Sequence, residues 1–340
     1  MQKTALLLVL LFLSLCELNA QISDFDHINF KKADSIALSL KGENLTNLPE
    51  LSYKLTSNLK TDAERFRAIY RWVCDNIAND YTLYLRNSRQ RQRFKKDSLK
   101  LTAWNTKFRT KLFNRLLKRK QTICTGYAYL VKTLADFANI DCKIVQGYGR
   151  VSTTNIETLD LPNHSWNAVN LNNKWYLCDP TWASGIPSPK TNKFIFQYND
   201  GFFLANPKLF AVNHFPVDKQ WWLLDGSDIP SFDTFLSSPV LYGNAYKKLE
   251  LHNAPQQMHH NIKPLDKVIF KYQLKDNTKT QNIKLGFDNG FSTWKNQPTS
   301  ISINDKSLEV EHQFTQTGFY DVHLYIDDDL ISTYTVEVKK

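Results

Sequence analysis

The sequence predicts an α+β protein: helices packed on an antiparallel sheet, followed by a small all-β sandwich. Three observations carry that prediction. Between about residue 30 and residue 137, apolar residues recur mainly at the three- and four-residue spacing of helices. From Cys142 the pattern changes to short β-rich runs, "CKIVQGYGR", "HSWNAVNL" and "KWYLCD". The last hundred residues hold no convincing helix, and five runs there alternate apolar with polar residues between turn signals. At 340 residues the chain has room for two domains. Its 42% hydrophobic and 22% charged residues exclude wholesale disorder.

Taken in order, the opening "MQKTALLLVLLFLSLCELNA" joins one lysine to an apolar run that ends near Ala20. That run is too short for a comfortable membrane span and has the form of a signal peptide, so residues 1–20 are expected to be cleaved. Export to an extracytoplasmic location, periplasmic or secreted, is the corollary. Leu15 precedes Cys16 where a lipoprotein signal wants a small residue, which argues against lipidation. Residues 21–60 form an N-terminal helical segment, with "FKKADSIALSL" and "ELSYKLTSNL" as short helices around Pro49. The clearest helix is "TDAERFRAIYRWVCDNIAND", where Thr61 and Glu64 make a capping-box pattern. Ala63, Phe66, Ile69, Tyr70, Val73 and Ile77 form its stripe, and Cys74 beside them reads as a core cysteine.

The net charge of +10 is concentrated. Between Arg86 and Lys120 there are fourteen Lys/Arg and one acid, Asp97, so the rest of the chain is mildly acidic. The stretch 86–100 is too polar to form a core. From Leu101, apolar residues including Trp104, Phe108, Leu112 and Leu116 recur at helical spacing with basic residues between them. The Arg86–Lys120 segment can therefore serve as a cationic face for an anionic surface or polymer, or as an ordinary solvated face. Its first part has little aromatic interleaving, and an exported protein seldom meets nucleic acid, so no nucleic-acid partner is expected.

The chemistry centres on Cys124, His164 and Asp179. Cys124 follows "KRKQTI" and begins the helix of "CTGYAYLVKTLADFANIDC". A thiol at a helix N-terminus, with cations upstream, is pushed towards the thiolate that cysteine catalysis uses. It needs a base and an acid for the leaving group. The run "HSWNAVNLNNKWYLCD" reads as a hairpin around Asn172-Asn173, residues that tolerate the positive φ of a tight turn. Pairing Leu171 with Lys174 puts His164 and Asp179 on one face as diagonal neighbours, within side-chain reach. A one-residue slip would separate them. Each residue alone has a structural reading: a buried thiol, a satisfied strand histidine, a turn-starting Asp-Pro. The joint arrangement points instead to a Cys-His-Asp triad by role.

These residues also resemble a family. "CTGYAYLVKTLADFANIDCKIVQGYGR" followed by "NHSWNAVNLNNKWYLCDPTWASG" looks like the papain-like core of the transglutaminase-like superfamily. "RAIYRWVCDNIAND" resembles the helix before that core, and "FFLANPKLFAVNHFPVDKQWWLL" is similar to the following segment in the kyphoscoliosis peptidase group. The resemblance runs from about Thr61 to Leu224. It implies a transglutaminase-like domain over 61–245, with an insertion at about 86–100, and Cys124 as nucleophile, His164 as base and Asp179 as orienting acid. Two departures stand out: Asn79 occupies a position where the family commonly has an aromatic residue, and the basic insertion can alter access to the thiol. For oxyanion stabilisation the backbone N–H of Cys124 is one expected donor, with Gln121 and Trp104 as side-chain candidates.

The resemblance implies acyl chemistry on a protein or peptide amide through a thioester, without a cofactor. Water as acceptor makes a peptidase or amidase, and an amine makes a transglutaminase. The competing reading keeps the fold, leaves the triad idle, and lets the β-region and basic helix recruit a partner. Trp166, Trp175 and Trp182 are expected to line the cleft or to pack in the core. Cys142 and Cys178 lie on strands expected to be neighbours, as a disulfide or as two buried thiols. "MHH" at 258–260 reads as a loop without companion ligands, and no metal site is expected. Residues 246–340 are expected to form the sandwich, immunoglobulin-like in kind, with the last two runs as its closing hairpin.

Overall fold

The computed structural model describes residues 21–340 apart from 189, 190, 192, 277 and 279. The expected signal peptide, with Cys16, therefore lies outside the described residues. Helices α1 (Lys31–Ser39) and α2 (Leu48–Thr56) form where expected. Pro49 sits in the first turn of α2, where its missing N–H has no partner to lose. Helix α3 (Asp62–Asn76) starts with the expected reciprocal cap: Glu64 N donates to Thr61 Oγ1 at 3.2 Å, and Thr61 N donates to Glu64 Oε2 at 3.0 Å. Its stripe of Ala63, Phe66, Ile69, Tyr70 and Val73 is buried, and so is Cys74.

The basic segment forms two helices, α4 (Tyr81–Phe94) and α5 (Ser98–Arg119). The polar first part buries only Leu83 yet still folds, because Asp80 caps it by accepting from Leu83 N at 2.9 Å. Its polar side chains then bind the 155–163 loop: Arg91 Nη1 donates to Pro162 O at 2.7 Å, and Gln92 Nε2 to Thr158 O at 3.0 Å. Leu83, Phe108, Leu112 and Ile123 make a small separate core, with Tyr84 and Trp104 packed on it. Two-residue parallel strands β1 (Ala78–Asn79) and β2 (Gln121–Thr122) close the base of this excursion and deliver the chain to α6 (Cys124–Phe137).

Helix α6 packs on an antiparallel sheet of order β5-β4-β3-β6, comprising β3 (Cys142–Gly149), β4 (His164–Leu171), β5 (Lys174–Cys178) and β6 (His214–Pro216). The hairpin has the expected register, Leu171 opposite Lys174, and Asn172 and Asn173 take φ of 53° and 63°. The two-residue turn thus fixes which face each strand residue occupies. Cys142 and Cys178 are not on neighbouring strands, because β4 runs between β3 and β5; both thiols are free and buried. The stretch 183–245 contains short elements. Among them are α7 (Pro180–Ser184), which enters it, α8 (Pro207–Ala211), and β7 (Val240–Leu241).

After a short helix that straddles the end of that stretch, Gly243–Lys248, the regular elements among the described residues are all β. One sheet has the order β8 (Leu249–Ala254), β10 (Lys267–Leu274), β14 (Ser307–Gln313), β13 (Ser300–Asn304). The other runs β9 (His259–Ile262), β16 (Asp329–Val338), β15 (Gly318–Ile326), β11 (Ile283–Asp288), β12 (Thr293–Asn296), with β7 also pairing β16. Alternation does the sorting: Val268, Phe270, Tyr272 and Leu274 are buried, and Lys267 before them and Lys271 among them are exposed. His259 and His260, expected in a loop, begin β9, which pairs in parallel with β16. Among the described residues no helix is long and apolar enough to cross a membrane.

Candidate active site

Cys124 is the first residue of α6, and Ile123 before it supplies no side-chain cap to the helix end. The free N–H groups there favour a negative sulfur. Gly126 lets the helix start lie against β2, since a Cβ at 126 would fall 1.8 Å from Thr122 Oγ1. The thiol is 6% exposed and lines a cavity of about 40 Å³, room for a few waters. His164 lines the same cavity, and the sulfur lies 4.0 Å from the Asn163 carbonyl oxygen. Burial works against the thiolate, but the neighbouring imidazole of His164 outweighs it and holds the thiol below its ordinary pKa.

His164 opens β4, and its Nε2 lies 2.7 Å from Asp179 Oδ2, which leaves Nδ1 for the sulfur. Trp182 stacks on the imidazole at 4.7 Å and 18°, with Trp166 5.9 Å away. Burial disfavours the charged ring, yet the charge and hydrogen bond of Asp179, joined by Cys124, raise it to about 10. Thiol and imidazole thus favour the thiolate–imidazolium pair between them.

Asp179 follows β5 and caps α7. Its Oδ1 accepts from Thr181 N at 2.8 Å and Trp182 N at 3.1 Å. Its Oδ2 meets both His164 Nε2 and, at 3.1 Å, His214 Nε2. Tyr70 from α3 donates its hydroxyl to the Asp179 carbonyl at 3.0 Å, bracing the backbone as well. Burial raises the carboxyl pKa, but the charge and hydrogen bonds of His164 and His214 drive it well below the usual carboxylate range. His214 is itself stacked on Phe210 at 3.6 Å, with Nδ1 3.1 Å from the Phe210 carbonyl, and burial pushes its pKa down to about 4.

Strand β3 explains how two imidazoles reach one carboxylate. It runs between β4 and β6, with Gly147 opposite His164 and Gly149 opposite His214. A Cβ at Gly149 would lie 2.9 Å from His164 Cβ, and one at Gly147 would lie 2.4 Å from a Trp166 ring carbon. The two glycines keep this face of β3 bare, and the rings meet over backbone.

Of the residues singled out in the sequence, Cys124, His164 and Asp179 come together, with Trp166 and Trp182 around the imidazole. Gln121 is held in β2 with Oε1 accepting from Arg115 Nη2 at 3.2 Å, and it is not among the cavity-lining residues. Trp104 is behind the wall, donating its indole N–H to Asn87 Oδ1 at 2.9 Å. Trp175 packs on Trp221 at 5.1 Å instead. Sequence reasoning missed His214 and the lining residues Arg91, Gln146 and Asn163. Its available signal for His214 was the Gly-x-Gly of β3. His164 Nε2, Asp179 Oδ2 and His214 Nε2 lie within 4.8 Å of one another, the spacing of a three-ligand metal site. An ion there would have to replace the 2.7 Å His164–Asp179 bond.

A helix-start thiol facing, across an antiparallel sheet, a histidine bonded to a buried carboxylate defines a papain-like α+β core. Residues 49–180 match the family model described as the transglutaminase-like superfamily, so the chain carries a transglutaminase-like domain. Over 226 residues the chain is 34% identical to kyphoscoliosis peptidase of Homo sapiens, covering 66% of this chain and 30% of that protein. It is 34% identical over 197 residues to kyphoscoliosis peptidase of Mus musculus, covering 57% and 27%. To Hillarin of Drosophila melanogaster it is 24% identical over 212 residues, covering 58% and 23%. The chain thus spans less than a third of the length of these relatives.

Proposed function

We propose that the protein is an exported cysteine enzyme that opens protein or peptide amide bonds through a thioester on Cys124. The observation that carries this is that Cys124 and His164 line one cavity while His164 is bonded to the buried Asp179. In the proposed reaction the thiolate adds to the amide carbonyl carbon, and the Cys124 N–H at the helix start donates to the oxyanion. His164 passes its proton to the leaving amine, and the C–N bond breaks to leave a thioester. His164, now neutral, takes a proton from water (peptidase or amidase) or from an amine (transglutaminase), and the thiolate departs. Asp179 holds the ring throughout. The burial of the sulfur favours a second reading, an idle scaffold.

Iodoacetamide labelling of the native protein decides between them. The enzyme reading expects Cys124 to alkylate well below pH 8.5, the ordinary thiol midpoint, and His164→Ala to slow it. Labelling no faster than a small model thiol would sink that reading. The intact mass from the same spectra is expected to begin at Gln21 in exported material. A mass retaining Met1 would discard the cleaved signal.

For the C-terminal region, the supported reading is an immunoglobulin-like sandwich that serves as a binding module. The sheet orders β8-β10-β14-β13 and β9-β16-β15-β11-β12 correspond to ABED and A′GFCC′. Near the start of β15, Tyr320 donates its hydroxyl to Gln316 O at 3.2 Å, as in a tyrosine corner. Tyr320→Phe is therefore expected to lower urea stability by about 1 kcal/mol. An unchanged midpoint would count against the corner.

A further inference from the structure

We infer that the cavity beside Cys124 is built for an acyl donor carrying a carboxylate next to the bond attacked, with Arg91 as its binding residue. The inference deepens the enzyme reading and rests on Cys124 being a nucleophile. Helix α4 turns one face to the cavity, Tyr84, Asn87, Ser88 and Arg91, at steps of three, four and seven residues. No Asp or Glu is among the residues that line it. The neutral amides are also biased. Trp104 donates to Asn87 Oδ1 at 2.9 Å and Ser165 Oγ to Gln146 Oε1 at 3.1 Å, so these two amides have their oxygens engaged and an NH2 left to give, whereas Asn163 is closed on the Gly149 backbone through both of its side-chain atoms. The lining therefore offers donors and a guanidinium with no carboxylate against them, the Cys124 thiolate being the anion they face until it attacks.

Set beside the other buried and half-buried arginines, Arg91 stands out. Arg67 is paired with Asp34 and Asp200, Arg71 with Asp75, and Arg115 with Asp80. Arg150 is closed in by the carbonyls of Ser238 and Pro239. Arg91 is half-buried, donates from Nη1 to Pro162 O at 2.7 Å, and has no ion pair among the described residues. A guanidinium partly stripped of water and left unpaired beside a cavity is poised for an anion with fork geometry. A neutral donor would leave the charge unmatched, so acidic peptides are the substrate class selected.

The test compares iodoacetate with iodoacetamide, reagents of nearly equal size that differ in charge, on Cys124 of the full-length protein. Expected is an iodoacetate-to-iodoacetamide rate ratio that falls roughly tenfold in Arg91→Gln, the factor for one charge-assisted bond of about 1.4 kcal/mol. Arg91→Lys should retain part of the preference, and the exposed Lys60→Gln, an equal change in net charge, should retain all of it. A ratio indifferent to Arg91→Gln overturns the inference. So does an equal slowing of both reagents, which would make Arg91 a stabiliser of the thiolate alone. Slow labelling by both reagents with the Arg91-dependent ratio intact would instead overturn the nucleophile reading. No labelling by either would overturn both.

Discussion

Asp179 accepts four hydrogen bonds: two from the backbone it caps, one from His164 and one from His214. A carboxylate with one partner can swing, but this one is fixed from every side, so the ring bonded to it is fixed too. His214 is then a positioning residue, acting on His164 through the shared oxygen. His214→Phe keeps the aromatic packing on Phe210 and removes the bond to Asp179, since a neutral ring has one N–H and the carboxylate is the stronger of the two acceptors it faces. It should cost about 1–3 kcal/mol for the buried groups left without partners. With one donor fewer, more of the Asp179 charge falls on His164, whose pKa of about 10 should rise. The upper limb of the Cys124 alkylation–pH profile should move up with it. A limb that stays in place while stability falls would make His214 structural only.

Helix α3, the hairpin and the alternating strands were legible because each is dictated by local chemistry. Thr61 and Glu64 cap each other, and Asn172-Asn173 accept positive φ. The alternating runs after residue 266 sort themselves by burial. The convergence of Cys124, His164 and Asp179 was legible for a related reason: the turn sets the register, and register sets the face. What escaped the sequence depends on strand order. Cys142 and Cys178 looked adjacent because β3 and β5 are close in sequence, yet β4 is inserted between them. His214 joins the site only because β6 returns to the free edge of β3, a pairing that no local pattern announces. The glycines of "QGYGR" marked the place, since a strand that omits two side chains on one face is making room for something. Helix α4 was hidden by its polarity, because its contacts to the 155–163 loop are hydrogen bonds rather than core packing.

The two halves of the chain share an electrostatic property that should govern stability against pH. Each buries a histidine whose charged form is penalised: His214 in the helical half and His252 in the β half, both pushed down to about 4 by desolvation. A group with a depressed folded pKa contributes stability above its unfolded value, near 6.5, and loses it as pH falls towards the folded value. Asp179, also depressed, adds a further loss below the ordinary carboxylate range. His164 has the opposite sign. Raised to about 10, it stabilises fully below 6.5 and fades as pH climbs, although the lowered Cys124 thiol gains over part of the same range and offsets it. The acid side is therefore the uncompensated one. Urea midpoints should be highest near neutrality and fall between pH 6.5 and 4.5, at up to about 1.4 kcal/mol per pH unit for each buried histidine. His214→Phe should flatten its share of that slope while His252 keeps the rest. A midpoint constant from pH 6.5 to 4.5, or a slope identical in His214→Phe, would show that these rings are not held neutral by the fold.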